Sequence, residues 1–536
     1  MAEPLISIRD LTVALPPGAD RAHAVDGVSL TINPNEILCI VGESGSGKSL
    51  TGHAVMGLLP RGVTASGGQI LFEGADLLRL PLSGIRKLRG RDIAMIFQDP
   101  MAALNPVVTI GRQITEQIRA HRAISEKKEA LDLAGGLLAE MGLADPKSLL
   151  KCFPHQLSGG QRQRVMIAMA LSLSPRLLIA DEPTTALDVT TQAQILKLIK
   201  RIQTERAMSV LFITHDFGVV ADMADRVAVM RHGRVVEEGA ATEVLGNPKH
   251  SYTRALIAAV PRGVSTLQPV AQDKPLLSVT DMSKKFRRGG IFSSAAAVKA
   301  VDKVSLTLNR GETLGIVGES GSGKSTLARC VIRLLDPDEG AVLFDGADIA
   351  RMKPRALRPL RRRIQMVFQD PFSSLNPRQT VGEIVIAGPR AYGEDIREAR
   401  ARAADILRLV GLNSETMNRF PHEFSGGQRQ RIGLARALML KPDILIADEP
   451  VSALDVTVQA QVLKLLDDVR QQMNLAMLFI THDMRVAAQV CHRVMVMRHG
   501  QVVESGPTRS VFAAPSSDYT RALLAAIPGR GRLAAV

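Results

Sequence analysis

Short apolar runs of strand length alternate along this chain with longer stretches of mixed character. Ile37–Val41, Leu177–Asp181 and Val210–Thr214 are bounded runs of five residues each. Their near-continuous apolar character suits strands covered on both faces. Ile110, Ile114 and Ile118 recur at every fourth position and mark an amphipathic helix. The surrounding stretch from about Pro100 to His155 reads as a helical insertion. Strand and helix in alternation predict α/β domains with a largely parallel sheet.

The same pattern occurs twice. LISIRDLTVAL from Leu5 returns as LLSVTDMSKKF from Leu276, and AVDGVSLTI from Ala24 as AVDKVSLTL from Ala300. MIFQDP at Met95 recurs as MVFQDP at Met366, IADEP at Ile179 recurs at Ile446, and FITHD at Phe212 recurs at Phe479. SYTRALIAAVP from Ser251 is echoed by DYTRALLAAIP from Asp518. The offset stays between 267 and 276 residues, so the unit of repetition is a whole domain rather than a solenoid repeat. Residues 1–261 and 276–528 are the expected domains. Residues 262–275 lie in a proline-bearing stretch without apolar periodicity and read as a linker, which would reach about 50 Å if extended. Residues 529–536 are expected to form a flexible tail.

Composition narrows the class. With 536 residues, 46% hydrophobic and 22% charged, the chain can bury large cores. It shows no apolar run of the ~20 residues needed to cross a bilayer, and no signal peptide, so it is expected to stay in the cytosol. Cys39, Cys152, Cys330 and Cys491 are widely spaced and read as structural thiols. The net charge of +14 raises the possibility of nucleic acid. The arginines are scattered, however, tryptophan is absent and aromatics are 3%, which leaves little for base stacking, so no nucleic-acid partner is expected.

Three motifs, each present twice, carry candidate chemistry. Gly42, Glu43, Ser44, Gly45, Ser46, Gly47, Lys48 and Ser49 fit GxxxxGK[ST] directly after a strand-like run, and so do Gly318, Glu319, Ser320, Gly321, Ser322, Gly323, Lys324 and Ser325. Such a loop wraps backbone N–H groups around a phosphate, its lysine neutralises β/γ oxygens, and its serine reaches Mg²⁺. Asp181-Glu182 and Asp448-Glu449 each end an apolar run. The aspartate can hold Mg²⁺ and the glutamate can polarise a water for in-line attack. Ser158, Gly159 and Gly160, like Ser425, Gly426 and Gly427, open apparent helices and offer a second anion site.

In order along each copy stand a phosphate loop, a glutamine after FQ (Gln98, Gln369), SGGQ, DE, ALD (Asp188, Asp455) and a strand-end histidine (His215, His482). This order resembles the ABC ATPase family over nearly the whole chain, twice. The resemblance implies two tandem P-loop nucleotide-binding domains, each with a largely parallel core sheet, an antiparallel β subdomain and a helical subdomain. It implies ATP and Mg²⁺, with Ser49, Gln98 and Asp181, or Ser325, Gln369 and Asp448, at the metal. It also implies that Glu182 and Glu449 act with His215, His482, Gln98 and Gln369 in hydrolysis, and that each copy's SGGQ completes the other copy's site. An adenine-stacking aromatic is expected at Phe286, whereas the first copy has Leu15 there.

FQDPMAALNP, FQDPFSSLNP and the closing YTRALL…P sequences resemble the oligopeptide/dipeptide/nickel importer ATPases, in particular the fused double form of the Yej peptide and microcin type. That likeness implies a peripheral subunit on the cytoplasmic face of the inner membrane, two permease partners and, through them, a periplasmic solute-binding protein. No cysteine cluster directly follows the segments that end at Pro261 and Pro528, so no iron–sulfur cluster is expected. A soluble duplicated ABC protein of translation or DNA repair is the alternative, although the translation class carries a long charged linker that this chain lacks.

Overall fold

The bounded apolar runs form the central strands of two α/β sheets. The structure is a computed structural model that describes residues 3–121, 126–185, 187–261, 263–264, 267–268, 270, 274–286, 298–370, 374–452 and 454–530. Parts of the expected linker (262, 265–266, 269 and 271–273) and residues 531–536 of the expected tail lie outside these. Two compact units divide the chain, one drawn mainly from residues up to Val260 and the other mainly from residues 261–527.

In the first unit a six-stranded sheet runs, in spatial order, Arg234–Ala240, Arg226–Arg231, Ile37–Val41, Ser209–Thr214, Leu177–Asp181 and Ile93–Ile96. All neighbours are parallel except the first pair. Every residue of Ile37–Val41, Ser209–Thr214 and Leu177–Asp181 is buried, as strands covered on both faces require. The second unit repeats this order with Gln501–Pro507, Arg493–Arg498, Thr313–Val317, Ala476–Thr481, Ile444–Asp448 and Ile364–Val367.

A four-stranded antiparallel sheet accompanies each core. In the first unit it is His23–Ile32, Ile6–Ala14, Thr64–Phe72 and Ala75–Asp76. The first of these hairpins alternates buried and exposed residues less regularly because register shifts interrupt it between Ile8 and Ala14.

The expected helical insertion is present as separate pieces. Ile110–His121 buries Ile110, Ile114 and Ile118, as their spacing required. Lys127–Glu140 follows, and the chain then breaks at Asp145, which holds a left-handed φ of 48° before Pro146 starts a short helix. No helix among the described residues is long and apolar enough to cross a membrane.

This topology positions the chemistry. Four consecutive parallel strands of the first core end, at the same sheet edge, in Gly42, His215, Glu182 and, two residues beyond Ile96, Gln98. The carboxyl edge of a parallel sheet is where α/β folds hold ligands.

Candidate nucleotide site

Glycine makes the phosphate loop possible at two points. Gly42 has φ 153°, and a Cβ there would collide with the Met230 carbonyl. Gly47 has φ 103°, and its Cβ would lie 2.6 Å from the Ala24 carbonyl oxygen. The loop between them feeds the helix Lys48–Met56, whose first turn aims N–H groups into the loop. The second unit repeats this with Gly318, Gly323 and the helix Lys324–Val331.

Lys48 is buried and donates to the Gly42 and Glu43 carbonyls at 2.7 and 2.9 Å. Lys324 does the same to Gly318 and Glu319, both at 2.7 Å. Burial lowers the Lys324 pKa against the pull of Glu449 and Asp448. Ser46 Oγ is buried with no hydrogen-bond partner among the described residues. An orphaned hydroxyl inside a cradle of N–H groups suits a phosphate ligand.

Ser49 Oγ donates to Asp181 Oδ1 at 2.9 Å, and Ser325 Oγ to Asp448 Oδ1 at 3.0 Å. Both aspartates are buried, and desolvation raises their pKa values despite these hydrogen bonds. A buried carboxylate beside a hydroxyl is an oxygen pair that suits a hard divalent cation. His53 Nε2 also lies 3.9 Å from Asp181 Oδ2, a neighbour the sequence reading did not single out; the second copy has Arg329 at that position.

Glu182 is gripped by both oxygens. Oε1 lies 3.1 Å from His215 Nδ1, while Oε2 accepts from Gln98 Nε2 at 2.9 Å and Thr185 Oγ1 at 3.0 Å. Burial alone would raise its pKa, but the His215 hydrogen bond and charge, with Thr185 and Lys48, pull it down to about 2. Glu449 repeats the arrangement, with His482 Nδ1 at 3.2 Å and Gln369 Nε2 at 2.8 Å, and its pKa is likewise lowered. Burial works against a charged His482, yet Glu449 outweighs it and raises the histidine's pKa. A carboxylate this acidic orients a water by accepting its hydrogen bond more readily than it removes a proton.

Gln98 and Gln369 were expected at the metal as well as in catalysis; their amides are turned to the glutamates. The glutamates themselves hold left-handed φ values of 45° and 48°. A side chain larger than glycine is strained there, a feature invisible to motif reading and common where function fixes the backbone.

The SGGQ turns are N-caps. Ser158 Oγ accepts the Gln161 N–H at 3.3 Å while Gln161 Oε1 accepts the Ser158 N–H at 2.9 Å, which starts the helix Gly159–Leu171. Ser425 and Gln428 repeat this at the head of Gly426–Leu438. As acceptors, both serine hydroxyls remain able to donate to a phosphate oxygen. A Cβ on Gly160 would lie 2.8 Å from the Thr191 methyl, and one on Gly427 2.5 Å from Val458. Phe286, at the end of its strand, is 42% exposed, with Lys284 Nζ 5.9 Å from its ring centre. Leu15 is half-buried.

A buried lysine in a phosphate loop, a serine–aspartate oxygen pair and a histidine-held glutamate define a P-loop ATPase of the ATP-binding cassette class. Residues 25–185 and 301–452, together more than half of the chain, match the family described as "ABC transporter", and the chain belongs to that family. It is therefore an ATP-hydrolysing transporter subunit with duplicated cassettes.

Residues 236–289 and 503–533 match the family described as "Oligopeptide/dipeptide transporter, C-terminal region". The chain is 50% identical over 532 residues to the peptidoglycan transport ATP-binding protein YejF of Agrobacterium fabrum, covering 98% of this chain and 96% of that protein. It is 48% identical over 558 residues to the glutathione import ATP-binding protein GsiA of Salmonella typhimurium, covering 98% and 89%. A solved dimeric ATP-binding cassette bound to ADP and Pi is 30% identical and covers 44% of this chain and 99% of its own, with a TM-score of 0.40.

Proposed function

We propose that this chain energises the uptake of short peptides or peptide-like compounds. It works at the cytoplasmic face of the inner membrane beneath two permease subunits, which a periplasmic solute-binding protein supplies. The full-length likeness to a peptidoglycan transport ATPase carries this reading, joined by the oligopeptide/dipeptide C-terminal region in both halves. Glutathione, the cargo named for a second relative, is itself a tripeptide. Both relatives are transport proteins, which favours import over a soluble role in translation or repair.

Within each site, Lys48 and Lys324 carry phosphate charge. Ser49 with Asp181, and Ser325 with Asp448, hold Mg²⁺, with Gln98 and Gln369 approaching as a site closes. When bound, Mg²⁺ neutralises charge on the phosphate oxygens. Glu182 and Glu449 orient the attacking water, His215 and His482 keep those carboxylates ionised and reach the γ-phosphate, and the SGGQ serines donate to phosphate. Phe286 supplies a stacking face for adenine. Domain limits of 1–261 and 276–528 contain these sets.

Uptake of a radiolabelled tripeptide, measured in cells lacking the chain, tests the cargo. Uptake falls and is restored by the wild-type chain, but not by a Lys48→Ala/Lys324→Ala form. Undiminished uptake of tripeptides and of peptidoglycan-derived peptides in the deletion strain would rule out the cargo class.

A further inference from the structure

The YTRAL sequences that close each half contribute a side chain to the phosphate loop. In the first unit Glu237 accepts the Lys249 and His250 N–H groups at 2.7 and 3.1 Å, which fixes the start of the helix Ser251–Ala259. That helix presents Tyr252, which is buried, with the Arg231 guanidinium 4.7 Å from its ring centre. The Tyr252 hydroxyl accepts the Glu43 N–H at 3.3 Å, a contact between residues 209 apart in sequence.

The second unit repeats each element. Glu504 accepts the Ser516 and Ser517 N–H groups at 2.7 and 3.2 Å, Arg498 lies 4.8 Å from the Tyr519 ring centre, and Tyr519 accepts the Glu319 N–H at 3.3 Å.

The Glu43 N–H and the Gly42 carbonyl belong to one peptide plane, and in a trans peptide they point in opposite directions. The tyrosine takes one end of that plane, and Lys48 Nζ takes the other at 2.7 Å. Glu319 N–H and Gly318 O stand in the same relation to Tyr519 and Lys324. Rotating the plane would move the carbonyl that anchors the lysine. We propose that Tyr252 and Tyr519 are positioning residues for the two nucleotide sites, each setting the place of the phosphate-loop lysine through a single peptide plane. A C-terminal segment distant in sequence thereby governs how well each loop is preorganised for phosphate, and preorganisation is paid for in affinity when it is lost.

Phenylalanine keeps the ring and the arginine contact and removes only the hydroxyl. In the full chain, Tyr252→Phe/Tyr519→Phe raises KM for Mg·ATP three- to tenfold with kcat within twofold, the range expected when the hydroxyl's hydrogen bonds to the phosphate loop are lost. Titration with a fluorescent ATP analogue assigns the effect to each site: Tyr252→Phe weakens binding in a Lys324→Ala background, and Tyr519→Phe in a Lys48→Ala background. The thermal midpoint without nucleotide stays within about 2 °C, the readout that separates positioning from a general loss of packing. Unchanged affinity and KM would overturn the proposal, and so would an affinity loss that tracks a fall in the nucleotide-free midpoint.

Discussion

Gln98 Nε2 donates to Glu182 Oε2 at 2.9 Å, tying the loop beyond one core strand to the acid that follows its neighbour. Gln369 and Glu449 repeat the bond at 2.8 Å. The oxygen that faces the glutamine is thus already an acceptor. A water can take the amide's place only if the glutamine swings away, so the same bond links the glutamine loop's position to the carboxylate's readiness. Removing the charge from both acids isolates this step. Glu182→Gln/Glu449→Gln retains ATP binding while phosphate release falls by ~10²–10⁴. Turnover above half of the wild-type rate in the double variant would end the assignment.

The left-handed backbone of Glu182 gives a stability prediction independent of catalysis. Its φ of 45° costs about 1–2 kcal/mol for a residue with a Cβ, and glycine escapes that cost at the expense of a more flexible unfolded chain. Glu182→Ala and Glu182→Gly lose the same side-chain contacts. The glycine form is therefore more stable by about 0.5–1 kcal/mol, as read by denaturant midpoints at constant slope. An alanine form equal to or above it would mean the strain is relieved elsewhere.

How much of this was legible follows from where each feature resides. The phosphate loops, the DE pairs, the strand-end histidines and the SGGQ caps are contiguous, and the strands that carry them are continuous apolar runs, so pattern alone places them. The glutamate φ values depend on what surrounds the strand end, here the Ile213 and Ile480 carbonyls that accept the Glu182 and Glu449 N–H groups at 2.9 Å. No local motif encodes that. Tyr252 was visible as a repeated letter, but its partner lies 209 residues away. Ser158 was read as part of an anion site, and its reciprocal cap with Gln161 emerges only with the helix start in place.

The two units also solve one problem with different chemistry. Asp225 Oδ2 accepts the Ile37 N–H at 2.8 Å, and in the second unit His492 Nδ1 accepts the Thr313 N–H at 3.0 Å. Burial, aided by Arg470, lowers the His492 pKa to about 4. The unfolded chain binds the proton near pH 6.5 while the folded chain does not, so protonation favours unfolding. The contribution is complete above pH 6.5 and is lost as pH falls towards 4, by up to about 3 kcal/mol. Thermal melts of the wild-type chain lose stability across that window, and His492→Asn, which keeps an acceptor without a titrating ring, flattens the loss. An unaltered slope in His492→Asn would assign the acid sensitivity to other groups.

The two copies differ at the position expected to face the base, Leu15 in the first and Phe286 in the second. Phe286 presents an exposed ring, whereas Leu15 offers apolar contact without a π-face. Stacking a base on an aromatic is worth ~1–3 kcal/mol, and leucine recovers part of it. Arg21 stands on the same hairpin as Leu15, whose N–H donates to the Ala22 carbonyl at 2.9 Å. Its guanidinium reaches the Gly45 carbonyl, and the second copy has Ala297 at that position. A planar cation at the loop edge can replace some of the missing stacking. The Lys324→Ala form, which leaves the Lys48 site, therefore binds ATP several-fold more weakly than the Lys48→Ala form, not hundreds of times. Adding Leu15→Tyr to the Lys324→Ala form narrows the gap, and adding Arg21→Ala to it widens the gap. Equal affinities in the two single-site forms, together with no effect of Arg21→Ala, would show that the base is gripped by groups common to both copies.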